Sequence, residues 1–366
     1  MNSIKKRVIM HIDFDYFYAQ CEELRNTSIK DKPVVVCVYS ARGNDAGAVS
    51  TANYNARRYG VKSGMPIRFA KQRLKYTNAI FLPVDHAYYD EISNKAMEII
   101  RSFADKFEYV GDDEAYIDVS NTTNGDFDKA RELALIIKNE IRRVLHLSIS
   151  IGVAPNKLIA KIASGYQKPD GLTIVKPSEV NNFIADMNVD AIVGIGKKTR
   201  ERLIEMNIRT IKELAKLDVY TLMNEFGRKN GIYLYNSSRG IDEEEVKEEQ
   251  TVTQFSKIIT LKEDKNDINY MINDLNYLTN ELHKIIVNNG YSFRNVGVIV
   301  VLNDLNIRSK SKSLKRISNS NEDLYNIAKT LLEDIMSDKP IVRRLGVKVS
   351  ELVSSKGQDT LLKFIR

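Results

Sequence analysis

The run Val8-Ile9-Met10-His11-Ile12, near the start of the chain, is mostly apolar over a length that suits one buried strand. It stops at an acidic residue, Asp13, and Asp15 follows two residues later. A charge at the end of a buried strand costs free energy unless it is paired or binds a metal ion. The next residues predict a helix with Asp15 as its N-cap and an apolar side formed by Phe17, Cys21 and Leu24. This stretch therefore predicts a strand that ends at an acidic site, followed directly by a helix.

Outward from this strand, the sequence up to residue 175 predicts one α+β sheet domain. A strand at residues 33–38 is followed by a helix at 51–59, which ends at Gly60 and has Ala52, Ala56 and Tyr59 on its inner side. The remaining elements are a helix at 90–106, a strand at 108–120 interrupted near Gly111, an amphipathic helix at 128–144, a half-buried alternating strand at 147–153, a helix from Asn156 and a strand at 172–175. Without the strand at 33–38, this order is β-α-β-β-α-β, which is typical of a split βαβ sheet.

The second half of the chain predicts a helical region, a linker and a further α+β domain. Residues 175–240 have helical patterns, whereas residues 241–250 are rich in Glu and Lys without apolar periodicity, which predicts an exposed linker. After the linker, the sequence predicts strands at 255–260 and 296–302 and helices at 267–289 and 321–338. From Val353 onward the residues predict a flexible tail.

Composition limits the compartment and the partners of the protein. A chain of 366 residues is too long for one core and predicts roughly two to four domains. The formal net charge of +7 and the pI near 9.0 favour an anionic partner. No apolar run is long enough for a membrane span or a signal peptide, and Cys21 and Cys37 suit core packing in a reducing compartment. We therefore expect a soluble, cytoplasmic protein without membrane contact.

A second acidic group lies in the interrupted strand, at Asp112-Asp113-Glu114. Three consecutive acids within a strand repel one another, and a bound cation would remove that cost. If this strand is a neighbour of the first one, both acidic groups meet at one edge of the sheet. Two divalent cations bridged by carboxylates are the arrangement that phosphoryl transfer needs. For either group alone, a solvated acidic turn is the alternative.

Three segments carry a more specific signal: Asp13-Phe14-Asp15-Tyr16-Phe17-Tyr18-Ala19-Gln20, Gly47-Ala48-Val49-Ser50-Thr51-Ala52-Asn53-Tyr54-Asn55-Ala56-Arg57 and Asp113-Glu114-Ala115-Tyr116-Ile117-Asp118. In order and spacing they resemble the signature segments of the Y family of lesion-bypass DNA polymerases, with the archaeal DNA polymerase IV branch the most similar. The resemblance runs over residues 8–348.

This resemblance implies a right-hand α+β polymerase. The palm, a split βαβ (ferredoxin-like) sheet, would comprise residues 1–18 and 85–174, the fingers 19–84, the helix-hairpin-helix thumb 175–241, the linker 242–251, the little finger 252–352 and the tail 353–366. The implied activity is template-directed DNA synthesis from dNTPs past damaged bases, with low fidelity and no proofreading exonuclease.

The resemblance also implies the roles of the site residues. Asp13, Asp113 and the carbonyl of Phe14 would bind two Mg²⁺ ions, for which Mn²⁺ could substitute, and Glu114 would bind the catalytic ion beside the primer 3′-hydroxyl. Tyr18 would be the steric gate, whose ring takes the space that a ribose 2′-hydroxyl needs. The residues assigned to the nucleotide are Tyr16, Phe17, Tyr18, Thr51, Tyr54, Arg57 and Lys168.

One pair of residues departs from the family pattern. The family usually has a Ser and an apolar residue before Asp-Glu, whereas this chain has Gly111-Asp112. The extra carboxylate should raise the pKa values of neighbouring carboxyl groups in the metal-free protein. We assign the metal-binding role to Asp113 rather than to Asp112 because the following Glu-Ala-Tyr fixes the alignment.

Three further segments predict binding to DNA or to a protein. Gly194 and Gly196, followed by Lys197, Lys198 and Arg200, suggest a helix-hairpin-helix that approaches a phosphate. Arg308, Lys310 and Lys312 recur with the period of a strand and could follow a DNA backbone. The tail resembles a sliding-clamp-binding peptide through Gln358, Leu361, Phe364 and Ile365. The expected partners are therefore primer-template DNA, dNTPs and a sliding clamp, bound by a monomer.

Two other functions fit parts of the sequence. A nucleotidyl cyclase shares the split βαβ sheet and the paired carboxylates, but it would not need the hairpin glycines or the basic strand. A catalytically silent DNA-binding scaffold would result if Asp112 disturbed the metal site.

Overall fold

The computed structural model describes residues 7–43, 45–248 and 252–354, which divide into two compact units. Of the described residues, the first unit contains 7–37, 49–65 and 69–248, and the second contains 38–43, 45–48, 66–68 and 252–354. Within the described part of the chain, no helix has both the length and the apolar character needed to cross a membrane.

The first unit is built around a five-stranded sheet. Its elements, in chain order and including those that reach into the segments 38–48 and 66–68, are β1 (Ile9–Phe14), α1 (Phe17–Arg25), β2 (Val34–Tyr39), β3 (Gly47–Ala52), α2 (Tyr54–Arg57), α3 (Ile67–Arg73), β4 (Ile80–Pro83), α4 (His86–Arg101), β5 (Lys106–Gly111), β6 (Glu114–Asp118), α5 (Phe127–Leu145), β7 (Ile149–Ala154), α6 (Lys157–Tyr166), β8 (Leu172–Ile174), α7 (Val180–Ala185), α8 (Lys197–Glu205), α9 (Ile211–Leu214), α10 (Val219–Phe226) and α11 (Arg228–Ser237). The order of the main sheet is β5-β6-β1-β7-β8, and β1 is antiparallel to both of its neighbours. The predicted split βαβ sheet is confirmed, with β1 at its centre.

The alternation of β1 places its residues against two different layers. Met10, Ile12 and Phe14 belong to the core that contains helices α4 and α5. Ile9 belongs to a second core, which contains α6 and the helices that follow it. Because successive side chains of a strand point to opposite faces, Asp13 shares the α6 face with Ile9. Residues on α6 and just after it can therefore reach the acidic end of β1.

The predicted helix at 51–59 is wrong in its first part. Thr51 and Ala52 belong to β3, which lies in a small sheet of order β3-β2-β4. The helix α2 begins only after Asn53, whose side chain accepts a hydrogen bond from the backbone N of Ala56 at 3.0 Å. Tyr59, expected on the inner side, is 51% exposed. Pairing with β2 and the cap at Asn53 outweigh the helical spacing of the alanines.

Two other expectations near β1 also need correction. Asp15 does not cap α1, since the residue before the helix is Tyr16, in the left-handed region at φ 45°. Strand β7 is buried along its whole length instead of on one face only. A Cβ at Gly152 would lie 2.1 Å from the carbonyl oxygen of Ala160 on α6, so this small residue lets the helix pack directly on the strand. In β7, large residues therefore alternate with small ones, and both kinds are buried.

The linker is partly attached to the first unit. Most side chains of residues 242–248 are exposed as expected, but Val246 is buried. The carboxylate of Asp242 accepts a hydrogen bond from the backbone N of Leu158 at 2.9 Å, and the backbone N of Lys247 donates to Glu108 at 2.9 Å. These contacts hold the first part of the predicted linker against the sheet domain.

The second unit is the predicted α+β domain. Its elements are β9 (Gln254–Lys265), α12 (Ile272–Asn288), β10 (Tyr291–Leu302), β11 (Ile307–Ser318), α13 (Asn321–Ile335), β12 (Val342–Ser350) and β13 (Val353–Ser354). The sheet has the order β11-β10-β12-β9, and side chains from α12 and α13 form the core with one of its faces.

Two assigned boundaries of this unit change. Val353 and Ser354, expected in the flexible tail, pair with Ser292 and Tyr291 of β10. Residues 38–43, 45–48 and 66–68, expected in the fingers, belong to the second unit, in which Arg42 lies 2.6 Å from both the carbonyl of Leu261 and the carboxylate of Asp264. The clamp-binding residues Gln358, Leu361, Phe364 and Ile365 lie outside the described residues.

Candidate active site

The two acidic groups meet where β1 and β6 lie side by side. Asp13 is directly opposite Glu114 in the pairing of these strands, and the backbone N of Phe14 donates to the carbonyl of Asp113 at 2.9 Å. The three acids are not all in a strand, since Asp112 and Asp113 occupy the turn between β5 and β6. The predicted meeting of Asp13 with Asp113 and Glu114 is thus confirmed, and it follows from the sheet register.

A histidine that was not predicted as a site residue, His11, lies within the acidic site. Ligand atoms of His11, Asp13 and Glu114 lie within 4.8 Å of one another, as a metal site requires. His11 Nε2 lies 3.3 Å from Glu114 Oε2, and Nδ1 lies 2.7 Å from Ser164 Oγ. One feature of the sequence could have indicated His11 as a site residue. It precedes Asp13 by two residues and therefore lies on the same face of the strand.

Two lysines supply positive charge to the same carboxylates. Lys161, on α6, contacts Glu114 through its ammonium group, and Lys168 contacts Asp13 in the same way. Lys168 Nζ also lies 3.4 Å from the carbonyl oxygen of Phe14, the backbone atom expected to bind metal. Such a cluster of acids needs compensating positive charge, which the two ammonium groups supply in this structure. Its carboxylate and carbonyl oxygens are donors that suit divalent cations.

The titration of the site residues reflects this crowding. Burial and the negative charges of Asp13 and Glu114 raise the pKa of Asp113 to about 6. The hydrogen bond with His11 and the ion pair with Lys161 lower the pKa of Glu114 to about 2. Burial lowers the pKa of His11, which favours the neutral imidazole. The raised pKa of Asp113 was expected. The prediction that Asp112 would raise it was wrong, because the cause is burial together with Asp13 and Glu114.

Asp112 is turned toward tyrosines. Its Oδ2 accepts a hydrogen bond from Tyr18 Oη at 2.9 Å, and its Oδ1 accepts one from Tyr109 Oη at 2.7 Å. The ring of Tyr18 stacks on that of Tyr89, with centroids 4.3 Å apart and planes inclined by 18°. This arrangement was not predictable from the sequence, because Asp112 and Tyr18 are 94 residues apart.

Three of the residues assigned to the nucleotide, Tyr16, Tyr54 and Arg57, contact one another. Tyr54 Oη is buried and has no hydrogen-bond partner among the described residues, which is rare for such a group. Burial raises the pKa of Tyr54 to about 12, so the phenol keeps its proton and can donate it. Tyr54 also packs edge-on against Tyr16 at 5.3 Å, and the Arg57 guanidinium lies 4.9 Å from the Tyr54 ring centre.

Two phenylalanines of the first motif contribute only backbone to this region. The side chains of Phe14 and Phe17 are buried and pack edge-on against each other at 5.2 Å. Any contact of Phe17 with a nucleotide would therefore use its backbone amide. Thr51 contributes from strand β3 and not from the predicted helix.

Asp15, which was expected to cap α1, lies near the site in a different role. Its carboxylate is fully buried and accepts hydrogen bonds from Ser148 Oγ at 2.9 Å, Ser150 Oγ at 2.7 Å and the backbone N of Asp170 at 2.8 Å. The last of these bonds holds the loop that follows α6, which carries Lys168. Asp15 thus links β1, β7 and this loop.

The predicted hairpin of the helical region has the expected local geometry. Gly194 has φ 87°, which favours glycine, and Gly196 directly precedes α8. Lys197, Lys198 and Arg200 are all exposed, and Lys197 and Arg200 lie 3.7 Å from Glu201 and 3.1 Å from Asp190, respectively. Contact of these residues with DNA remains a prediction.

The basic residues of β11 share one face of the sheet, as predicted. Arg308, Lys310 and Lys312 pair directly with Val300, Val298 and Val296, whose side chains lie in the core of the unit. Directly paired residues point to the same side of a sheet, so the three basic residues are on the helix-bearing side. Because β11 is an edge strand, their long side chains nevertheless extend into solvent.

Acidic residues neutralise part of the positive charge on β11. Arg308 lies 2.7 Å from Asp338, and Lys310 lies 3.4 Å from Asp334 of α13. Lys312 has no acidic partner within the described residues. Its charge is therefore the most available of the three for a DNA backbone.

Comparison with family models covers most of the chain. A model of the impB/mucB/samB family matches residues 12–165, and a model of that family's C-terminal domain matches residues 252–361. A model of the DNA polymerase-iota thumb domain matches residues 190–242.

Similar proteins and structures agree with these matches. The chain is 52% identical to a DNA polymerase IV of Nitrosopumilus maritimus, over 99% of this chain and 100% of the relative. It is 39% identical to DNA polymerase IV 1 of Methanosarcina mazei, over 98% and 100% of the two chains. A solved Y-family DNA polymerase chimera, Dbh-Dpo4(243-245)-Dbh, aligns with a TM-score of 0.88 at 36% identity, over 95% of this chain and 99% of its own. An insertion ternary complex of Dbh DNA polymerase covers the same shares at 36% identity, with a TM-score of 0.68.

The chain therefore belongs to the Y family of DNA polymerases, the lesion-bypass family, and is a DNA-directed DNA polymerase with the α+β fold of that family. This assignment stands against both alternatives, the nucleotidyl cyclase and the silent scaffold.

Proposed function

We propose that the protein extends a primer past damaged template bases by two-metal-ion nucleotidyl transfer, with low fidelity and without proofreading. The observation that carries this proposal is the meeting of Asp13, Asp113 and Glu114 at the paired ends of β1 and β6. These carboxylates and the Phe14 carbonyl would hold two Mg²⁺ ions, or Mn²⁺ in their place. When bound, such ions activate a hydroxyl nucleophile and stabilise the charge of the leaving pyrophosphate.

The residues around the acidic site would bind and orient the incoming dNTP. The phenol of Tyr54, which is buried without a partner, would donate to a phosphate oxygen, and Arg57 offers a guanidinium beside it. Lys168 would add positive charge at the same place, because its ammonium group already lies at Asp13 and the Phe14 carbonyl. Thr51 and the backbone amides at Tyr16 and Phe17 would complete the contacts.

The ring of Tyr18 would determine which sugar is accepted. It lies flat against Tyr89 and next to His86, with ring centres 4.3 Å and 5.9 Å away, respectively. A ring held in this way excludes a 2′-hydroxyl by volume and so favours deoxynucleotides.

Binding of primer-template DNA and dNTPs accords with the solved ternary complexes of Dbh. We assign the DNA backbone to Gly194, Gly196, Lys197, Lys198 and Arg200 and to the basic residues of β11, which attract phosphates without reading sequence. The tail residues Gln358, Leu361, Phe364 and Ile365 would bind a sliding clamp, and the polymerase would act as a cytoplasmic monomer.

Primer extension opposite and past an abasic site tests the proposal. We expect extension with Mg²⁺ or Mn²⁺, none with EDTA, and no removal of a mismatched primer end when dNTPs are left out. An undamaged template with the same sequence is the matched control. Cyclic product from GTP alone, or excision of the mismatched end, would contradict the proposal.

A further inference from the structure

The residue that departs from the family pattern, Asp112, has a well-defined set of partners. Its side chain accepts hydrogen bonds from Tyr18 at 2.9 Å and Tyr109 at 2.7 Å, and its carbonyl accepts one from Ser93 Oγ at 2.7 Å. Ser93 is buried on α4, so the turn that carries Asp112 is attached to a helix of the core. Both carboxylate oxygens of Asp112 thus accept hydrogen bonds from phenols, and its backbone carbonyl is hydrogen-bonded to α4.

The ring of Tyr18 is held at two places. One face stacks on Tyr89, which is fully buried and donates through its hydroxyl to Glu22 at 2.7 Å. The far end of the ring, its hydroxyl, is held by Asp112. Stacking alone permits a ring to slide or swing, whereas a hydrogen bond at its tip limits that movement because the bond is directional.

The protonation of these groups suits the contact. Burial, together with the hydrogen bonds to Asp112, raises the pKa of both Tyr18 and Tyr109 well above the usual value. Both residues therefore remain phenols near neutral pH and donate to the carboxylate. Hydrogen bonds from a neutral donor to an ionised acceptor are stronger than neutral pairs.

We propose that Asp112 is a positioning residue for sugar discrimination, which holds the ring of Tyr18 in place so that a ribonucleotide cannot displace it. This inference depends on the proposed role of Tyr18 as the steric gate. A ring excludes a 2′-hydroxyl only while it cannot move aside, so the selectivity depends on what fixes the ring as well as on its volume. In this chain a carboxylate beside the proposed catalytic acids performs that task.

The test compares kcat/KM for a dNTP with that for the matching rNTP, with the full chain on primer-template DNA. Asp112→Ala should lower the discrimination about fivefold to tenfold, as expected for the loss of one hydrogen bond. Asp112→Asn should keep most of it, because the amide oxygen still accepts from Tyr18. Tyr18→Phe, which retains the ring but not the hydroxyl, should reproduce the effect of Asp112→Ala.

The double variant gives the sharpest result. If both residues act through the same hydrogen bond, Tyr18→Phe combined with Asp112→Ala should discriminate no worse than either single variant. Tyr88→Phe is the matched control, because its hydroxyl donates to the Cys21 carbonyl at 3.2 Å and has no contact with Asp112. It should leave the discrimination unchanged.

The remaining outcomes separate this inference from the proposed function. Tyr18→Ala should lower the discrimination on the order of 100-fold, because the whole ring is lost. Unchanged discrimination in that variant would overturn the gate role and the inference with it. A large effect of Tyr18→Ala with none from Asp112→Ala or Tyr18→Phe would overturn the inference alone. Loss of dNTP incorporation in Asp112→Ala as complete as in Asp113→Ala would place Asp112 among the metal ligands and also overturn it.

Discussion

The acidic site of the first unit and the basic strand of the second unit hold their charges in different ways. At the acidic site, Asp13 and Glu114 come from strands paired inside a sheet, and their partners Lys161 and Lys168 come from α6 and the loop after it. Along β11, successive basic residues come from one edge strand and extend into solvent. The first arrangement depends on packing between distant segments, whereas the second depends mainly on local sequence. Substitutions should therefore have large, all-or-none effects at the acidic site and small, graded effects along β11.

The largest expected effect is loss of primer extension in Asp13→Ala and Asp113→Ala. Each substitution removes a proposed metal ligand, which is worth several kcal/mol, so the rate should fall on the order of 10³-fold or more. Single-turnover extension measures the rate, and DNA affinity should change little. Glu91→Gln, on the exposed side of α4, is the control. Activity retained in Asp113→Ala but lost in Asp112→Ala would show that the wrong acid has been assigned.

The second effect concerns the stability of the acidic site. Asp15→Ala leaves two hydroxyl groups and a backbone N–H without their acceptor, so it should lower the free energy of unfolding by about 3 kcal/mol. Urea unfolding measures this change. Where the variant remains folded, the KM for dNTP should rise more than kcat falls, since the loop that carries Lys168 loses an attachment. An unchanged KM would mean that Asp15 supports the fold alone.

Graded effects are expected along β11. Lys312→Ala should weaken DNA binding about threefold, equally for all sequences, and reduce the salt dependence by roughly one counterion. Lys310→Ala should have a smaller effect, because Asp334 already neutralises part of that charge. The affinity is measured by titration at several salt concentrations. Asp334→Asn should strengthen binding, and no change there would show that Lys310 does not face the DNA.

The smallest effect on basal activity is expected from removing the tail. A chain that ends at Ser354 keeps the pairing of β13 with β10, so primer extension without a clamp should be unchanged. Stimulation by a sliding clamp should be lost. Extension assays with and without the clamp distinguish these effects. Phe364→Ala in the full chain is the matched variant, because it should lose the stimulation while the tail keeps its length. Loss of basal extension would show that the tail has a structural role.

Much of the fold was predictable because its elements have strong local patterns. Strand β1, the amphipathic helix α5 and the alternating residues of β11 each carry the pattern of their own structure. The failures arose where pairing or capping competed with that period. Thr51 joins β3 in spite of the helical spacing around it, and Asp15 is drawn into a buried network instead of capping α1.

The site was predictable in part for the same reason. The motifs placed Asp13, Asp113 and Glu114 together, and the pairing of β1 with β6 brings them there. His11 and Lys161 were missed although both contact Glu114, since neither stands in a pattern that marks a ligand. The partners of Asp112 were also missed, because they depend on a turn whose direction the sequence does not specify.

The sequence by itself determined the order of the elements, the family and the acids of the site, because these depend on residue type and on spacing along the chain. Only the tertiary structure decided which groups compensate those acids, where the carboxylate of Asp112 points, and which side of the sheet carries Arg308, Lys310 and Lys312. The physical reason is that hydrogen bonds and ion pairs form between atoms that are close in space. Strand register and helix packing bring those atoms together from segments far apart in the chain.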